Sequence, residues 1–321
     1  MKMTPQKKRK TWPIVLIIIG CVLLLLTGAA IFLVKHYTGG IEKINTKPED
    51  LGITTGDKTS APEPEDDITN IVFLGIDREE NRSDVMIILS INKTRDRIKV
   101  ISILRDTKAQ VDGYEYLTKI GRAYKAGGSV NAVKAINTNF HTEFSRFISM
   151  NFEDVEAIVD YLGGVDIELT AEEAKLVNSG AKTLDYYGQD AEEGVNHLNG
   201  AQAVAFSRIR KIDSEYHRAS RQQMVIEAMF KNAKSMSASE YPELIRLITD
   251  SLETNMSYSD LLEFTSLDIK YAEISEYTIP DEKYEEDLWG GWEDGPYEYQ
   301  WLWIYDLDKA GERLMNIIYG E

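Results

Sequence analysis

Cysteine is almost absent from this chain of 321 residues, and its one example is Cys21. A single thiol excludes a disulfide framework, a cysteine-based metal site and a cysteine nucleophile outside the N-terminal segment. The chain also lacks a G-x-S-x-G segment, the common setting of an activated serine. The sequence therefore marks no side chain as a covalent nucleophile.

Positive charge is scarce as well. The 36 lysines and arginines are outnumbered by 53 aspartates and glutamates, which gives a formal net charge of -17. Binding to a nucleic-acid backbone needs a basic surface, so this charge argues against nucleic acid as a general partner. Hydrophobic residues make up 43% of the chain, enough for a substantial core in one large domain or two small ones.

Residues 12–34 form a long apolar run without a charge. A helix that crosses a bilayer needs about 20 such residues, so the run predicts a single transmembrane anchor. The five basic side chains within residues 1–11 predict a cytoplasmic tail and place the rest of the chain outside the cell membrane. A cleaved signal peptide is the alternative, but the run is long for one. An outward-facing domain without disulfides favours a Gram-positive type of envelope.

Residues 35–67 are predicted to be an extracellular linker, because glycine, proline and acidic residues occur there without apolar periodicity. The remaining residues, 68–321, are predicted to fold as one extracellular domain. Its fold class is α/β (an α+β mixed sheet flanked by helices), because buried strands alternate with helices. Strands are predicted at 71–76, 85–91, 98–104, 147–150 and 165–169, and helices at 155–162, 241–252, 258–264 and 307–318.

Against the acidic background, arginines are concentrated in one short stretch. Arg208 and Arg210 follow an apolar run at a spacing of two, which predicts a strand end with both side chains on one face. Arg218, Arg221 and Gln222 have the spacing of one helix face. Planar guanidinium groups bind phosphate in a bidentate way, so the stretch predicts a phosphate pocket.

A second interpretation of the same stretch is a solvated charged loop followed by a surface helix. Its arginines would then form ion pairs with Asp213 and Glu215. The spacing of the charged residues is compatible with both interpretations, and both stay open at this point.

A second group of charged residues follows the predicted strands. Asp77, Arg82 and Asp84 lie on the loop after the first strand, and Arg105 and Asp106 follow the third. Strand ends are where ligands bind in mixed α/β sheets, and two carboxylates suit a hard cation such as Mg²⁺. The alternative is a set of solvated carboxylates with a surface ion pair.

The C-terminal part combines aromatic with acidic residues. Tryptophans 289, 292, 301 and 303 lie among eight aspartates and glutamates between residues 281 and 298. Such a combination can form a sugar-binding platform, but it more often covers the edge of a core, and we favour that interpretation.

Eight short segments occur in an order that is specific to one family. They are Asn70–Asp77, Arg82–Met86, Leu104–Thr107, Asn151–Phe152, Val159–Asp166, His197–Gly200, Arg208–Arg210 and Arg218–Gln223. Together they resemble the LytR–CpsA–Psr family of cell-envelope phosphotransferases, over about residues 70–230. The anchor and linker fit the same family.

The resemblance implies a membrane-anchored, Mg²⁺-dependent enzyme. It would take a glycopolymer from a polyprenyl-pyrophosphate carrier and attach it, as a phosphodiester, to a hydroxyl of peptidoglycan. Wall teichoic acid, capsule and other secondary polysaccharides all stay open as the polymer. In the family the lipid tail lies in an apolar tunnel under the sheet. Carried onto this sequence, the pyrophosphate-binding residues are Arg82, Arg105, Arg208, Arg210, Arg218 and Gln222. The metal ligands are Asp77 and Asp84, and the catalytic residues are Arg105, Asp84 and Asp77.

Transfer from a pyrophosphate to an alcohol needs charge neutralisation and in-line positioning more than a protein nucleophile. We therefore expect direct attack by the acceptor hydroxyl, with Asp84 or Asp106 as the base. His197 and His217 are expected to make structural hydrogen bonds. Two alternatives remain, namely a non-catalytic lipid binder that regulates the envelope and a pyrophosphate hydrolase.

Three positions depart from the family. The family usually has proline where Leu104 stands, asparagine at Gly121 and a small residue at His217. The first two departures predict altered loop geometry or altered acceptor contacts, and none of the three removes a pyrophosphate arginine.

Overall fold

The computed structural model describes residues 42–53, 68–210, 212–233, 235–236, 240, 244, 253–257, 260, 273–294 and 299–320. The predicted cytoplasmic tail, residues 1–11, and the predicted anchor, residues 12–34, lie outside this set. Within the described residues, no helix is long and apolar enough to cross a membrane.

A mixed sheet forms the centre of the fold. The strands are β1 (Glu42–Lys43), β2 (Ile68–Asp77), β3 (Arg82–Asn92), β4 (Arg97–Ile103), β5 (Lys108–Ala109), β6 (Thr118–Lys119), β7 (Phe147–Asn151), β8 (Val165–Leu169), β9 (Gly194–Leu198), β10 (Glu253–Thr254), β11 (Glu273–Ile279), β12 (Trp289–Asp294) and β13 (Tyr299–Ile304). Seven of them form the main sheet in the order β1-β10-β7-β2-β3-β4-β11. β3 is antiparallel to both β2 and β4, whereas β7 runs parallel to β2 and β11 runs parallel to β4. The pairs β5–β6, β8–β9 and β12–β13 form separate two-stranded ribbons.

The helices connect and cover these strands. They are α1 (Ala123–Phe140), α2 (Phe152–Tyr161), α3 (Ala171–Thr183), α4 (Gly200–Ser207), α5 (Glu215–Ala233) and α6 (Leu307–Tyr319), with 3-10 turns at Pro48–Leu51 and Ile120–Arg122. Capping boxes begin α2, α3 and α4 at Asn151, Thr170 and Asn199. In each box a side chain and a backbone N–H three residues apart satisfy each other, which fixes where the helix begins.

Both faces of the main sheet are covered by apolar side chains. Consecutive residues of β3 alternate between the faces, so that Met86 and Ile88 join the larger cluster with α1 and α6. Val85 and Ile87 join the smaller cluster on the opposite face, against Ile226 of α5. The predicted fold class, a mixed sheet flanked by helices, is confirmed.

Most predicted elements agree with the structure. The strands at 71–76, 85–91, 98–104, 147–150 and 165–169 and the helices at 155–162 and 307–318 are confirmed. The predicted helices at 241–252 and 258–264 lie outside the described residues except at single positions.

Part of the predicted linker, residues 35–67, belongs to the folded domain. Residues Glu42–Lys43 add strand β1 to the edge of the main sheet. Leu51 is 1% exposed within the larger apolar cluster, and its carbonyl accepts the side-chain amide of Asn137 at 2.8 Å. Residues 42–53 are therefore structural, although their polar composition gave no apolar periodicity.

The strand predicted before Arg208 is wrong. Residues 203–206 lie in α4, where every side chain is buried, and Arg208 caps the end of that helix. A short apolar run does not distinguish a buried helix from a buried strand, because periodicity is lost when all sides are covered.

Candidate functional site

Several chain segments meet at one edge of the main sheet. β2 ends at Asp77, and the antiparallel β3 begins beside it at Arg82. β4 ends two residues before Arg105, next to the start of β3, and the parallel β7 leads into Phe152 at the same edge. The loop after α4 and the first turn of α5 contact this edge through ion pairs. The predicted site residues are therefore brought together by strand direction.

Asp77 is buried at the end of β2, and both of its carboxylate oxygens accept hydrogen bonds. Oδ1 accepts from the backbone N–H groups of Glu79 at 3.0 Å and Glu80 at 3.1 Å. Oδ2 accepts from Nη2 of Arg208 at 3.2 Å. The guanidinium of Arg208 also lies over the ring of Phe152, 4.6 Å from its centroid. Arg208 is thus held between a carboxylate and an aromatic ring, while 38% of its side chain stays exposed.

Asp84 joins two other arginines. Its Oδ1 accepts a hydrogen bond from Nε of Arg82 at 2.8 Å and pairs with Arg105. Burial alone would raise the pKa of Asp84, but the attraction of Arg105 and of Arg82 outweighs burial and lowers the pKa of this carboxyl. A carboxylate held ionised in this way positions its arginines well and is a weak base.

Arg105 and Arg218 form the buried centre of the site, and each is only 4% exposed. Arg218 pairs with Glu215, whose Oε2 also lies 3.9 Å from Nε of Arg105. Among the described residues, Nε of Arg105 and both Nε and Nη1 of Arg218 have no hydrogen-bond partner. Burial, followed by the like charge of Arg105, lowers the pKa of Arg218. Two buried guanidinium groups with unused donors are suited to an anion, since leaving them unpaired is unfavourable.

Glu215 is a site residue that the sequence analysis missed. It was considered there only as an ion-pair partner, yet it lies among three arginines, with Oε1 3.9 Å from Nε of Arg210. Burial raises the pKa of Glu215 despite the opposing attraction of Arg218. A carboxylate with a raised pKa is better matched to proton transfer near neutral pH than one with a lowered pKa. Its position at the first residue of α5, three before Arg218, is the signal that would have identified it.

Two other predicted ligands occupy the margin of the site. Arg210 lies on the loop between α4 and α5, and 43% of its side chain is exposed. Gln222 is buried on α5, one turn after Arg218. Arg210 approaches the central group through Glu215, and Gln222 lies on the same helix as Arg218.

Arg221 is buried as deeply as Arg218, but its donors are used within the fold. Nε donates to Glu173 at 2.8 Å, and Nη1 donates to Asp213 at 3.1 Å and to the carbonyl of Ile209 at 3.3 Å. These bonds tie α5 to α3 and to the preceding loop. The ion pair with Asp213 is thus confirmed for Arg221, whereas Arg218 points into the site. Lys211 lies outside the described residues.

Asp106 contacts both a lysine and the C-terminal ribbon. Its Oδ1 lies 3.0 Å from Nζ of Lys119, and its backbone carbonyl accepts the N–H of Trp303 at 2.9 Å. The ribbon β12–β13 is therefore attached directly beside Arg105.

His197 and His217 make the hydrogen bonds expected of structural residues. Nδ1 of His197 contacts Oδ1 of Asp166 at 2.7 Å, and Nε2 contacts the carbonyl of Gly163 at 2.6 Å. Nδ1 of His217 contacts the hydroxyl of Ser214 at 3.0 Å.

Two departures from the family have a visible structural consequence. The N–H of Leu104 donates to the carbonyl of Ile279 at 2.9 Å, a bond that proline cannot make. A β carbon at Gly121 would lie 2.8 Å from the carbonyl oxygen of Ser83 and 2.9 Å from Cβ of Arg105. Because Gly121 has no side chain, the 3-10 turn can pack directly against Arg105 and Ser83.

The carboxylates assigned to Mg²⁺ lie at adjacent strand ends. In the described part of the chain, no group of three or more His, Cys, Asp or Glu side chains is arranged around a metal position. Two carboxylates still fit Mg²⁺, which takes few protein ligands and shares phosphate oxygens and water. Asp77 would have to exchange the hydrogen bond of Arg208 for the metal, because its other oxygen is held by the backbone.

The fold and the site together define a class of protein, an α/β domain with a group of buried arginines at one sheet edge that is suited to an anion. The chain belongs to the LytR_cpsA_psr family, whose sequence profile matches residues 37–307.

Relatives within this family are similar over most of their length. A protein from Oceanobacillus iheyensis named polyisoprenyl-teichoic acid–peptidoglycan teichoic acid transferase TagU is 30% identical over 270 residues, which cover 80% of this chain and 81% of the relative. The TagU of Bacillus subtilis is 24% identical over 280 residues, with 83% and 85% covered.

Solved structures show the same fold. Bacillus subtilis TagT aligns with a TM-score of 0.62 at 20% identity, covering 88% of this chain and 100% of that chain. TagT bound to LIIa-WTA aligns with a TM-score of 0.62 at 21% identity, covering 83% and 95%.

Proposed function

We propose that this protein transfers a wall teichoic acid from a polyprenyl-pyrophosphate carrier to a hydroxyl of peptidoglycan, with a phosphodiester as the product. The observation that carries the proposal is the pair Arg105 and Arg218, both deeply buried and both with unpaired donors. The names of the curated relatives state a transfer of teichoic acid to peptidoglycan, and this supports the polymer and the acceptor.

The charge balance of the site suits a pyrophosphate diester. Five arginines and Lys119 face five carboxylates; the arginines are at positions 82, 105, 208, 210 and 218, and the carboxylates are at positions 77, 80, 84, 106 and 215. The six positive charges exceed the five negative charges by one, and this excess favours a ligand such as a pyrophosphate diester, which carries two negative charges at neutral pH. An acidic protein thus offers this ligand a locally positive site, which favours its capture.

The arginines are held in place before the ligand arrives. Asp84 fixes Arg82 and Arg105, Asp77 and Phe152 fix Arg208, and none of these contacts depends on a ligand. Because charge stabilisation without reorganisation is the main contribution to phosphoryl transfer, this arrangement supports catalysis.

The transfer itself is a single in-line displacement. The oxygen of the acceptor hydroxyl forms a bond to the phosphorus that bears the glycan, and the bond from this phosphorus to the bridging oxygen breaks. Polyprenyl phosphate leaves with the electron pair. Arg105 and Arg218 stabilise the charge on the phosphate oxygens.

Glu215 is assigned to receive the proton of the acceptor hydroxyl. Asp84 is unsuitable because two arginines lower its pKa, and Asp106 is engaged by Lys119. Glu215 combines a raised pKa with a position beside both central arginines.

Mg²⁺ would be held by Asp77 and Asp84 together with phosphate oxygens, where it would neutralise part of the charge that develops in transfer. The assignment is supported by two buried or nearly buried carboxylates at adjoining strand ends.

The predicted anchor, residues 12–34, would hold the domain at the outer face of the cell membrane as a single-pass protein. The carrier lipid and the peptidoglycan would both lie within reach there. The five basic side chains within residues 1–11 would keep the N-terminus in the cytoplasm.

The test uses the full-length protein with Mg²⁺, a lipid-pyrophosphate-linked teichoic acid precursor and peptidoglycan oligomers. A phosphodiester-linked product is expected. Arg218→Met is expected to abolish the product, whereas Arg97→Met, the same change at the opposite end of strand β4 from Arg105, should leave the rate at wild type.

Other outcomes lead to other functions. Release of free glycan phosphate without transfer would indicate a hydrolase. Unchanged lipid, with tight lipid binding that Arg218→Met removes, would indicate a non-catalytic binder and would overturn the enzyme proposal.

A further inference from the structure

The ribbon β12–β13 carries aromatic rings in a row. Trp292 is paired with Trp301 across the ribbon, and their neighbours Trp303 and Tyr299 lie on the same face because side chains alternate along a strand. The rings of Trp292 and Tyr299 stack with their centroids 5.1 Å apart and 15° between their planes. The rings of Trp301 and Trp303 meet edge to face with their centroids 4.6 Å apart. These four residues are called the aromatic row.

One end of the aromatic row reaches the anion site. The ring of Trp303 contacts the ring of Tyr216 at 5.1 Å, and Tyr216 directly follows Glu215. The backbone N–H of Trp303 donates a hydrogen bond to the backbone carbonyl of Asp106, the residue after Arg105. The row therefore starts beside the groups that are proposed to perform the transfer.

The other end of the row is open to solvent. Trp303 is buried, but 57% of Trp292 and 62% of Tyr299 are exposed. Covering the edge of a core explains Trp303 and Trp301, which pack on the larger apolar cluster, whereas the outer pair stack on each other and stay mostly exposed. The outer pair continues the row into solvent, and contiguous exposed apolar groups are the kind of surface that binds ligands.

Unused polar groups lie at the buried end of the row. Among the described residues, Nε1 of Trp303 and the hydroxyl of Tyr216 are buried without a hydrogen-bond partner. A buried donor without a partner is unfavourable, so both groups are suited to a ligand with hydroxyl or amide groups. Gly290 leaves room for the rings, since a β carbon there would lie 2.6 Å from the ring of Trp303 and 2.9 Å from that of Trp301.

The groups around the row fit a sugar chain better than a charged polymer. The carboxylates of Glu293 and Glu285 are each paired with a cation of the protein, Lys108 at 2.5 Å and Arg313 at 2.7 Å. The row itself therefore offers ring faces and unused polar groups rather than free charge. The ring faces of sugars stack on aromatic side chains while their hydroxyls form hydrogen bonds.

We propose that the aromatic row binds the glycan strand of the peptidoglycan acceptor and leads one of its hydroxyls toward the anion site. The guidance of a hydroxyl toward the anion site rests on the proposed transfer, whereas the binding of a sugar chain to the row does not depend on it. Trp292 and Tyr299 hold a sugar ring of the strand, and Trp303 and Tyr216 receive the part of the strand nearest the reacting hydroxyl.

Binding is tested without the donor, so that it can be separated from transfer. Full-length protein is titrated with soluble peptidoglycan glycan strands that carry no teichoic acid, and tryptophan fluorescence is recorded. Trp292→Ala should weaken binding about tenfold, and Trp292→Phe, which keeps a stacking face, should weaken it less. Tyr187→Ala removes an aromatic ring outside the ribbon that is even more exposed than Trp292, and this variant should bind as wild type does.

Kinetics give the second readout. Trp292→Ala should raise the KM for peptidoglycan and leave the KM for the lipid donor at its wild-type value. Equal binding by Trp292→Ala and Tyr187→Ala, or a change confined to the donor KM, would overturn the inference. Tighter binding of purified teichoic acid than of the glycan strand would also overturn it. If glycan binding behaves as expected while no transfer occurs, the inference stands and the proposed function fails.

Discussion

Arg218 and Arg221 allow a paired experiment, because they lie three residues apart on α5 and are both 4% exposed. Arg221 donates to Glu173, Asp213 and the carbonyl of Ile209, so Arg221→Met would strand two carboxylates that are largely buried. Breaking a buried ion pair from one side costs about 3–5 kcal/mol. For a domain of this size, about 2–4 °C is lost per kcal/mol, so we expect Tm to fall by about 6–20 °C.

Arg218→Met should cost much less. Removing Arg218 leaves Glu215 without this partner, which by itself costs about 3–5 kcal/mol. The same change removes two buried nitrogens that have no partner in the described structure, and it relieves the repulsion from Arg105. Each unsatisfied buried donor costs about 1–3 kcal/mol, so the two effects nearly cancel and Tm should stay within about 3 °C of wild type.

Thermal denaturation of both variants, followed by near-ultraviolet circular dichroism, measures the difference. A second scan adds Mg²⁺ and a short polyprenyl pyrophosphate at about 100 times its dissociation constant, which should stabilise the wild type by about 2.7 kcal/mol. Arg218→Met should gain nothing from the ligand. Equal destabilisation of the two variants, or undiminished ligand stabilisation of Arg218→Met, would show that Arg218 is a structural residue like Arg221.

Three further outcomes follow from the contacts. Glu215→Gln should retain lipid binding and lose transfer by at least a hundredfold, measured by single-turnover kinetics; near-normal turnover would remove Glu215 as the base. Leu51→Ala should lower the free energy of unfolding by about 2–5 kcal/mol in thermal denaturation, because Leu51 is 1% exposed in the core. An unchanged free energy of unfolding would mean that residues 42–53 belong to the linker and not to the folded domain. The hydrogen bond to Asp166, followed by that to Gly163, raises the pKa of His197. The protonated ring therefore stabilises the fold fully below about pH 6.5, the pKa of histidine in the unfolded chain, and this stabilisation is lost as pH rises through the pKa of His197 in the folded protein. His197→Gln should therefore lower Tm more at pH 5.5 than at pH 8.5, and a pKa below 6.5 from nuclear magnetic resonance would contradict this.

The sequence predicted the parts of the fold that depend on local pattern. The apolar runs of β2, β3 and β4 identified the central strands, and strand direction then required Asp77, Arg82 and Arg105 to meet at one edge. Asn151–Phe152 was part of the family pattern, but the contact between Phe152 and Arg208 depends on the packing of α4.

The different roles of two arginines on one helix were not predictable from spacing. Arg218 and Arg221 share the i, i+3 spacing of one face, and their roles differ because Glu173 and Asp213 lie beside only one of them. Glu173 is 48 residues away in the chain, so its approach depends on how α3 packs against α5. The helix α4 was predicted as a strand end because its residues are buried on all sides.

The same geometry explains why the site is built from buried arginines rather than exposed lysines. A guanidinium keeps its charge when buried, and its planar donors stay in fixed directions. Asp84 pairs with Arg105 and Glu215 pairs with Arg218, and the donors that have no partner among the described residues are left for a ligand. The repulsion between the two guanidinium groups disfavours the empty site, and a bound pyrophosphate would offset that repulsion with its negative charge. Ligand binding and stability are therefore coupled at Arg218, and the paired variants on α5 measure that coupling.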